Sequence, residues 1–249
     1  MAEVKIYYIN MDDSLARRKA MESSFKKDSL IRISALNGFY WSDGFQEDNN
    51  KYKWKSYIYK IFKENGILAS VKTNFINLTP PEVACNFSHI RALRTFLKTN
   101  DKYAIILEDD VEPIDPNISI AASVSLPLEG EILYLCGPNH PGDRIQLYKD
   151  SQVKWARTLM GYVVSRKAAK AMIEAAFPMC YLMDTQIMVR LYKSLEQYRN
   201  NWLDSEIEEL QRFKAYGMFN PLIRHSHLAK QTTFTKDGTK PWLPQKAQI

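Results

Sequence analysis

"YAIILEDDVEP", residues 103–113, runs an apolar segment straight into Glu108, Asp109 and Asp110. Ile105, Ile106 and Leu107 make the short continuous apolar run expected of a parallel strand covered on both faces. A carboxylate at the end of such a strand is costly unless it is paired or metal-bound. The whole chain carries net charge +6, so these acids do not belong to a generally acidic protein. A positive partner is expected at this strand end.

The elements around the strand repeat one pattern. Before it, "TPPEVACNFSHIRALRTFL" (79–97) predicts a helix with Thr79 as N-cap, Pro80 at the first helical position and Glu82 completing a capping box. At the start of the chain, "VKIYYIN" (4–10) reads as a strand. "MDDSLARRKAMESSF" (11–25) follows as a helix entered at Asp13 or Ser14, with Leu15, Met21 and Phe25 on its apolar face. "LIRISALNG" (30–38) predicts a second strand ending in a Gly-containing turn. Beyond a Pro-rich surface stretch (113–128) come strands at 131–137 and 158–165, then a helix capped by Ser165. A helix starting at Asp184, a charged helical stretch through about 214 and a last strand near "MFNPLIRHS" (218–226) complete the order. Alternating strand and helix over this length predicts an α/β fold with a mostly parallel sheet flanked by helices. We expect a single domain over 1–249, with an insertion at 39–77 holding one helix near 52–64, and a helical, basic C-terminal part from about 184.

Composition narrows the class. A chain of 249 residues with 45% hydrophobic and 25% charged content is ordinary for a globular protein. No apolar run approaches the ~20 residues of a spanning helix, and Met1 to Ile9 lack a signal-peptide pattern, so a cytoplasmic location is expected. Cys85, Cys136 and Cys180 are widely separated and read as reduced core thiols. Lys and Arg are spread along the chain; a solvated surface explains them, and so does an anionic partner such as a nucleotide, a nucleic acid or an acidic membrane.

In open α/β sheets ligands bind beyond the carboxyl ends of the strands, where Glu108, Asp109 and Asp110 fall. Alternation along an extended backbone would put Glu108 and Asp110 on one side and Asp109 on the other, an acidic pair able to hold a hard divalent cation. Capping of the next element, or pairing with surface Lys, would account for the same acids. Arg17 and Arg18 sit early in a helix, against its dipole, and a bound phosphate would relieve that conflict; two Arg on a solvated face fit equally. His89 shares a helical face with Cys85, Ala92 and Phe96, which suits a packed histidine. His225 and His227, two apart in an expected strand, would share a face and either could offer a nitrogen to the same cation. Asp184 is an N-cap or a general base at the mouth of the site.

Taken in order, "YINMDDSLARR", "SALNG", "PPEVACNFSHIRAL", "YAIILEDDV", "GYVVSRKAA" and "MDTQIM" resemble the segments of glycosyltransferase family 25. These are bacterial lipopolysaccharide and lipooligosaccharide galactosyltransferases, of β-1,4-galactosyltransferase type, related to the collagen galactosyltransferases. The resemblance implies a GT-A fold, a nucleotide-sugar donor (usually UDP-galactose), Mn²⁺ or Mg²⁺ dependence and inversion at the anomeric carbon. By position it places Asn10, Asp12, Arg17, Ala35, Asn37 and Gly38 around the nucleotide, with His89 and Asp109 close by. It makes Glu108 and Asp110 the metal pair, leaves His225 and His227 as alternatives for a third ligand, and makes Asp184 the candidate base. Segments 39–77 and 195–215 have no counterpart in the resemblance, so the acceptor stays open.

The expectation is single displacement of a UDP-sugar by a hydroxyl of a glycan or glycolipid, with Trp41, Trp54 and Tyr57 available to stack on an acceptor sugar. The basic surface would suit a phosphorylated glycolipid and peripheral contact with the inner face of the membrane. Three rivals use the same residues differently. A transferase acting on nucleic acid ranks low, because no recognised nucleic-acid module is present; a phosphoryl transferase lacks a GxxxxGK[ST] loop. A silent sugar- or nucleotide-binding relative would have no reason to keep Glu108, Asp110 and Asp184 together.

Overall fold

In the computed structural model the described residues are 4–38, 80–124, 130–137, 146–147, 153–155, 158–177, 179, 182–191 and 214–228. The expected insertion at 39–77 with its helix and aromatics, the cap Thr79, Cys180, and the charged stretch 195–213 fall outside them.

The apolar run of 103–113 becomes β3 (Tyr103–Glu108), in which Ala104 to Leu107 are all buried. Such complete burial on both faces is worth ~1.5–3 kcal/mol for each large aliphatic side chain. β1 (Lys5–Asn10) lies beside it and β2 (Leu30–Ser34) beyond, all three parallel. The register pairs Asn10 with Ser34 and Ile9 with Glu108, so the carboxyl ends of these strands share one edge of the sheet.

On the other side of β3 lies β8 (Gly161–Ser165), antiparallel to both β3 and β5 (Gly130–Tyr134); β9 (Lys214–Gly217) is parallel to β5 and closes a six-stranded sheet of order β2-β1-β3-β8-β5-β9. The mostly parallel α/β sheet read from the sequence is therefore present, with β8 as its one reversed strand. Two small antiparallel pairs accompany it: β4 (Val111–Pro113) with β10 (Ile223–His225), and β6 (Gln146–Leu147) with β7 (Val153–Trp155).

Helix α1 (Leu15–Ser24) follows β1 as expected and buries Met21 with Phe25 at its end, but Leu15 is exposed rather than on the packed face. Helix α2 (Pro80–Leu97) starts at the predicted proline and buries Val83, Ala84, Phe87, Ile90, Leu93 and Phe96, a spacing of three and four residues. Its last carbonyls are capped by Arg166, which donates to Leu97 O at 2.9 Å and Thr99 O at 2.7 Å while its guanidinium sits over the Phe96 ring. Arg166 opens α4 (Arg166–Ala175), whose N-cap Ser165 accepts from Ala168 N as the sequence predicts. The stretch expected as Pro-rich surface contains a short helix, α3 (Ile120–Ser123), held by Asp28, whose carboxylate accepts from Ser119 Oγ and from the amides of Ile120 and Ala121. Helix α5 (Met183–Leu191) begins one residue earlier than expected, and the first amide, that of Met183, donates to Asn86 Oδ1 at 2.7 Å. Among the described residues no helix is long and apolar enough to cross a membrane.

Candidate functional site

The shared carboxyl edge of β1, β2 and β3 carries a tight polar network. Asn10 is buried and donates from Nδ2 to Asp109 Oδ2 at 2.8 Å and to Ser14 O at 3.2 Å, while its Oδ1 accepts from Arg32 Nε at 2.9 Å. Arg17 reaches back from the first turn of α1 and donates to Asp109 Oδ1 at 2.8 Å. Asp109 is thus satisfied on both oxygens. Burial pushes its carboxyl up, and the positive charge and hydrogen bond of Arg17 together with the Asn10 amide pull against that without fully cancelling it.

Glu108 and Asp110 are placed differently. Glu108 shares a contact of 3.1 Å with His89 Nε2, whose other nitrogen meets the Tyr162 hydroxyl at 3.3 Å, and the His89 and Tyr162 rings stack. Burial works to raise the Glu108 carboxyl, but the His89 hydrogen bond and the charges of His89, His225 and Arg17 outweigh it and leave it below the ordinary range. Asp110 goes the other way: burial first, and then the neighbouring Glu108 charge, push its carboxyl up to about 7 against the lowering effect of Arg17 and His225. Its Oδ1 is buried with no hydrogen-bond partner among the described residues.

That orphaned oxygen is the test of fit for a cation. A carboxylate oxygen withdrawn from water and left without a donor is an expensive arrangement unless a positive group completes it. Two carboxylates with an imidazole in reach form the donor set that hard divalent ions such as Mn²⁺ or Mg²⁺ accept. Glu108 and Asp110 are therefore the residues that would hold the ion; His89 Nε2 stands 3.1 Å from Glu108, and His225 is close enough for its charge to act on both carboxyls.

The tail strand places the two histidines differently. The Ser226 amide donates to Asp110 O at 2.7 Å, and His225 pairs with Val111 across β4 and β10, next to the acids. The strand ends at His225, so the two rings do not share a face. His227 begins a turn, has a side chain 79% exposed and lies 3.9 Å from Glu112. Gly161 makes this approach possible: a Cβ there would sit 2.1 Å from Ile223 Cδ1 and 3.0 Å from Leu107 Cδ2.

Of the residues expected around the nucleotide, Arg17, Ala35, Gly38, His89 and Asp109 line one cavity with Glu108 and Asp110. Asn10 stands behind its wall as a brace. Asp12 accepts from Ser34 Oγ at 2.9 Å and pairs closely with Arg32, and Asn37 donates to Asp13 at 3.1 Å; both lie outside the lining. Asp184, in the first turn of α5, is also outside the lining, yet its carboxyl feels the charges of Glu108 and His89. Burial raises it above the ordinary range, against hydrogen bonds from Thr185.

Four contributors escaped the sequence reading. Ser88 Oγ accepts from Leu36 N at 2.9 Å and donates to Ala84 O, which pins the 35–38 turn onto α2. Arg32 ties Asn10 to Asp12, and an arginine inside "LIRIS", an otherwise apolar strand, was the available signal. Cys85 lines the cavity, and Tyr162 fixes His89; nothing local in the sequence links either to the acids.

Comparison with known proteins agrees with this layout in its first half. A family model described as "Glycosyltransferase family 25 (LPS biosynthesis protein)" matches residues 3–123, just under half of the chain. No curated protein matches the chain. Two solved structures overlay loosely. One is a glycosyltransferase involved in the glycosylation of the major capsid of PBCV-1, at 9% identity and TM-score 0.36 over 89% of this chain and 91% of that one. The other is HddC from Yersinia pseudotuberculosis, at 9% identity and TM-score 0.34 over 89% of this chain and 93% of that one. Overlays this loose carry no inference. The family match, which spans β1 through α3 and contains Asn10, Arg17, His89, Glu108 and Asp110, identifies the chain as a glycosyltransferase enzyme.

Proposed function

We propose that this enzyme transfers a sugar, with galactose the first candidate, from a UDP-sugar to a hydroxyl of a lipopolysaccharide or lipooligosaccharide glycan, with inversion at the anomeric carbon. The observation that carries the reading is the buried Asp110 Oδ1, without a hydrogen-bond partner among the described residues, close to Glu108 at the carboxyl edge of the parallel strands and inside the segment that matches the family.

Glu108 and Asp110 would hold Mn²⁺ or Mg²⁺, which when bound would neutralise the donor diphosphate and the charge it gains on leaving. Arg17, locked to Asp109 and lining the same cavity, adds a fixed positive charge at that end of the site. The 35–38 turn, pinned by Ser88, supplies backbone at the nucleotide wall. Asp184 accepts the acceptor hydroxyl proton as the new C–O bond forms and the bond to the diphosphate breaks, with its electron pair leaving on the diphosphate. A carboxyl raised by burial is a stronger base than an ordinary one, which suits this role.

The net charge of +6 supports contact with a phosphorylated glycolipid at the inner membrane face, and binding to anionic liposomes that weakens with salt would check it. The reaction itself is tested on Asp184→Asn. Transfer is lost and UDP binding is kept if Asp184 is the base; weakened UDP binding in the folded variant would make Asp184 structural.

A further inference from the structure

Cys85, one turn before His89 on α2, presents its sulfur to the same point as the His89 nitrogen and the Glu108 carboxylate, and the three donor atoms lie within 4.8 Å of one another. Donors bound to one zinc-class ion at ~2.0–2.3 Å stand closer than about 4.6 Å, so the trio closes on an ion with small side-chain adjustments. We infer that Cys85, His89 and Glu108 form a site for a thiophilic divalent cation of the zinc class, and that its occupation withdraws Glu108 from its partnership with Asp110.

Cys85 and His89 are i and i+4 on α2, hence on one helical face. The Tyr162 hydroxyl, 3.3 Å from His89 Nδ1, can accept its N–H and leave the Nε2 lone pair facing Glu108. A hydrogen-bonded outer nitrogen of this kind is the usual support of a metal-bound histidine. Two lone-pair donors 3.1 Å apart need either a proton or a cation between them, and a metal ion replaces the proton. All three residues line the cavity, so an ion can reach them. Binding releases the Cys85 thiol proton to solvent and leaves a thiolate ligand.

The donor sets separate the two sites by chemistry. Oxygen donors with one imidazole accept Mn²⁺ or Mg²⁺, whereas a thiolate–imidazole–carboxylate trio selects ions later in the divalent series. Because Glu108 is common to both, a zinc-class ion opposes the ion that the proposed transfer needs. That consequence rests on the proposed function; the site itself does not.

The test uses Co²⁺ as a spectroscopic probe on the full chain without nucleotide. A near-ultraviolet thiolate-to-cobalt band should saturate at one equivalent, bleach when Zn²⁺ is added, and be lost in Cys85→Ser and in Cys85→Ala. Added Zn²⁺ should displace Mn²⁺ from the parent more readily than from either variant. Should neither variant fold, the parent still decides: Zn²⁺ must shield Cys85 from alkylation, read by peptide mass. No cobalt band in the parent, an undiminished band in both folded variants, or unshielded Cys85 overturns the inference. The cobalt readout needs no UDP and no acceptor, so its failure and the failure of the proposed transfer are distinguishable.

Discussion

Arg17 holds Asp109 across the start of the site, Nη1 to Oδ1 at 2.8 Å, with side-chain exposures of only 12% and 10%. Both charges are withdrawn from water, so removing one leaves the other uncompensated. Arg17→Ala should lower the unfolding free energy by ~3–5 kcal/mol in urea titration. Adding Asp109→Asn to that variant should recover part of the loss, since the stranded charge is then gone. Equal stability of Arg17→Ala and the parent would mean that the pair is solvated.

Asp110 makes the metal-free protein pH-sensitive in a known direction. Its carboxyl ionises near the ordinary 3.8 when unfolded and at about 7 when folded, so the folded state binds the extra proton between these values. Its contribution to stability is therefore fully present below about pH 4 and is lost as pH rises through 7. Asp110→Asn removes this dependence. In chelator, the melting temperature of the variant should gain on that of the parent from pH 4 to 7 and hold its lead above. Added Mn²⁺ should then raise the parent alone. A difference that ignores pH would refute the assignment.

His89 positions Glu108 through the 3.1 Å contact and is itself held by Tyr162. His89→Gln should weaken Mn²⁺ binding by ~10–100-fold, the usual penalty for losing such support. Manganese electron paramagnetic resonance reads this directly. Unchanged affinity would make His89 a packing residue only.

Gly161 faces the end of Ile223, two residues before His225. Gly161→Ala forces a buried side chain to move and should cost ~1–3 kcal/mol. Ile223→Val deletes the clashing Cδ1, so the double variant should be more stable than the two separate losses add up to. Strict additivity in urea unfolding would show that the contact relaxes freely.

Five strands of the main sheet were legible because their signals are local, whereas β9 (Lys214–Gly217) lies just before the last strand expected at 218–226, which pairs with β4 instead. The apolar run 105–107, the Pro80 start and the Ser165 cap each sit within a few residues of the element they specify. Leu15 misled because an apolar residue in a helical period need not face the core at the first turn. β4 and β10 are three residues each, and their pairing joins positions more than 100 apart in the chain, so no periodicity can develop. The short helix at 120–123 has a local cap in Ser119, but it also leans on Asp28, a distant carboxylate that accepts from the Ser119 hydroxyl and from the amides of Ile120 and Ala121.

The acids of the site could be found from the sequence, but not their division of labour. Alternation suggested Asp109 pointing away from its neighbours; in the fold the strand stops at Glu108 and all three acids line the cavity. Asp109 is consumed by Asn10 and Arg17, whereas Asp110 keeps an oxygen with no partner among the described residues. That distinction depends on partners 92 and 99 residues away, beyond any local motif.

The most direct measurement is calorimetric titration of UDP into the protein with and without Mn²⁺, repeated on Asp110→Asn. The account predicts binding that strengthens with Mn²⁺ in the parent and loses that dependence in the variant. UDP binding that is the same with and without the ion, or a variant that keeps the full metal effect, would contradict the assignment of Asp110 as the centre of the site.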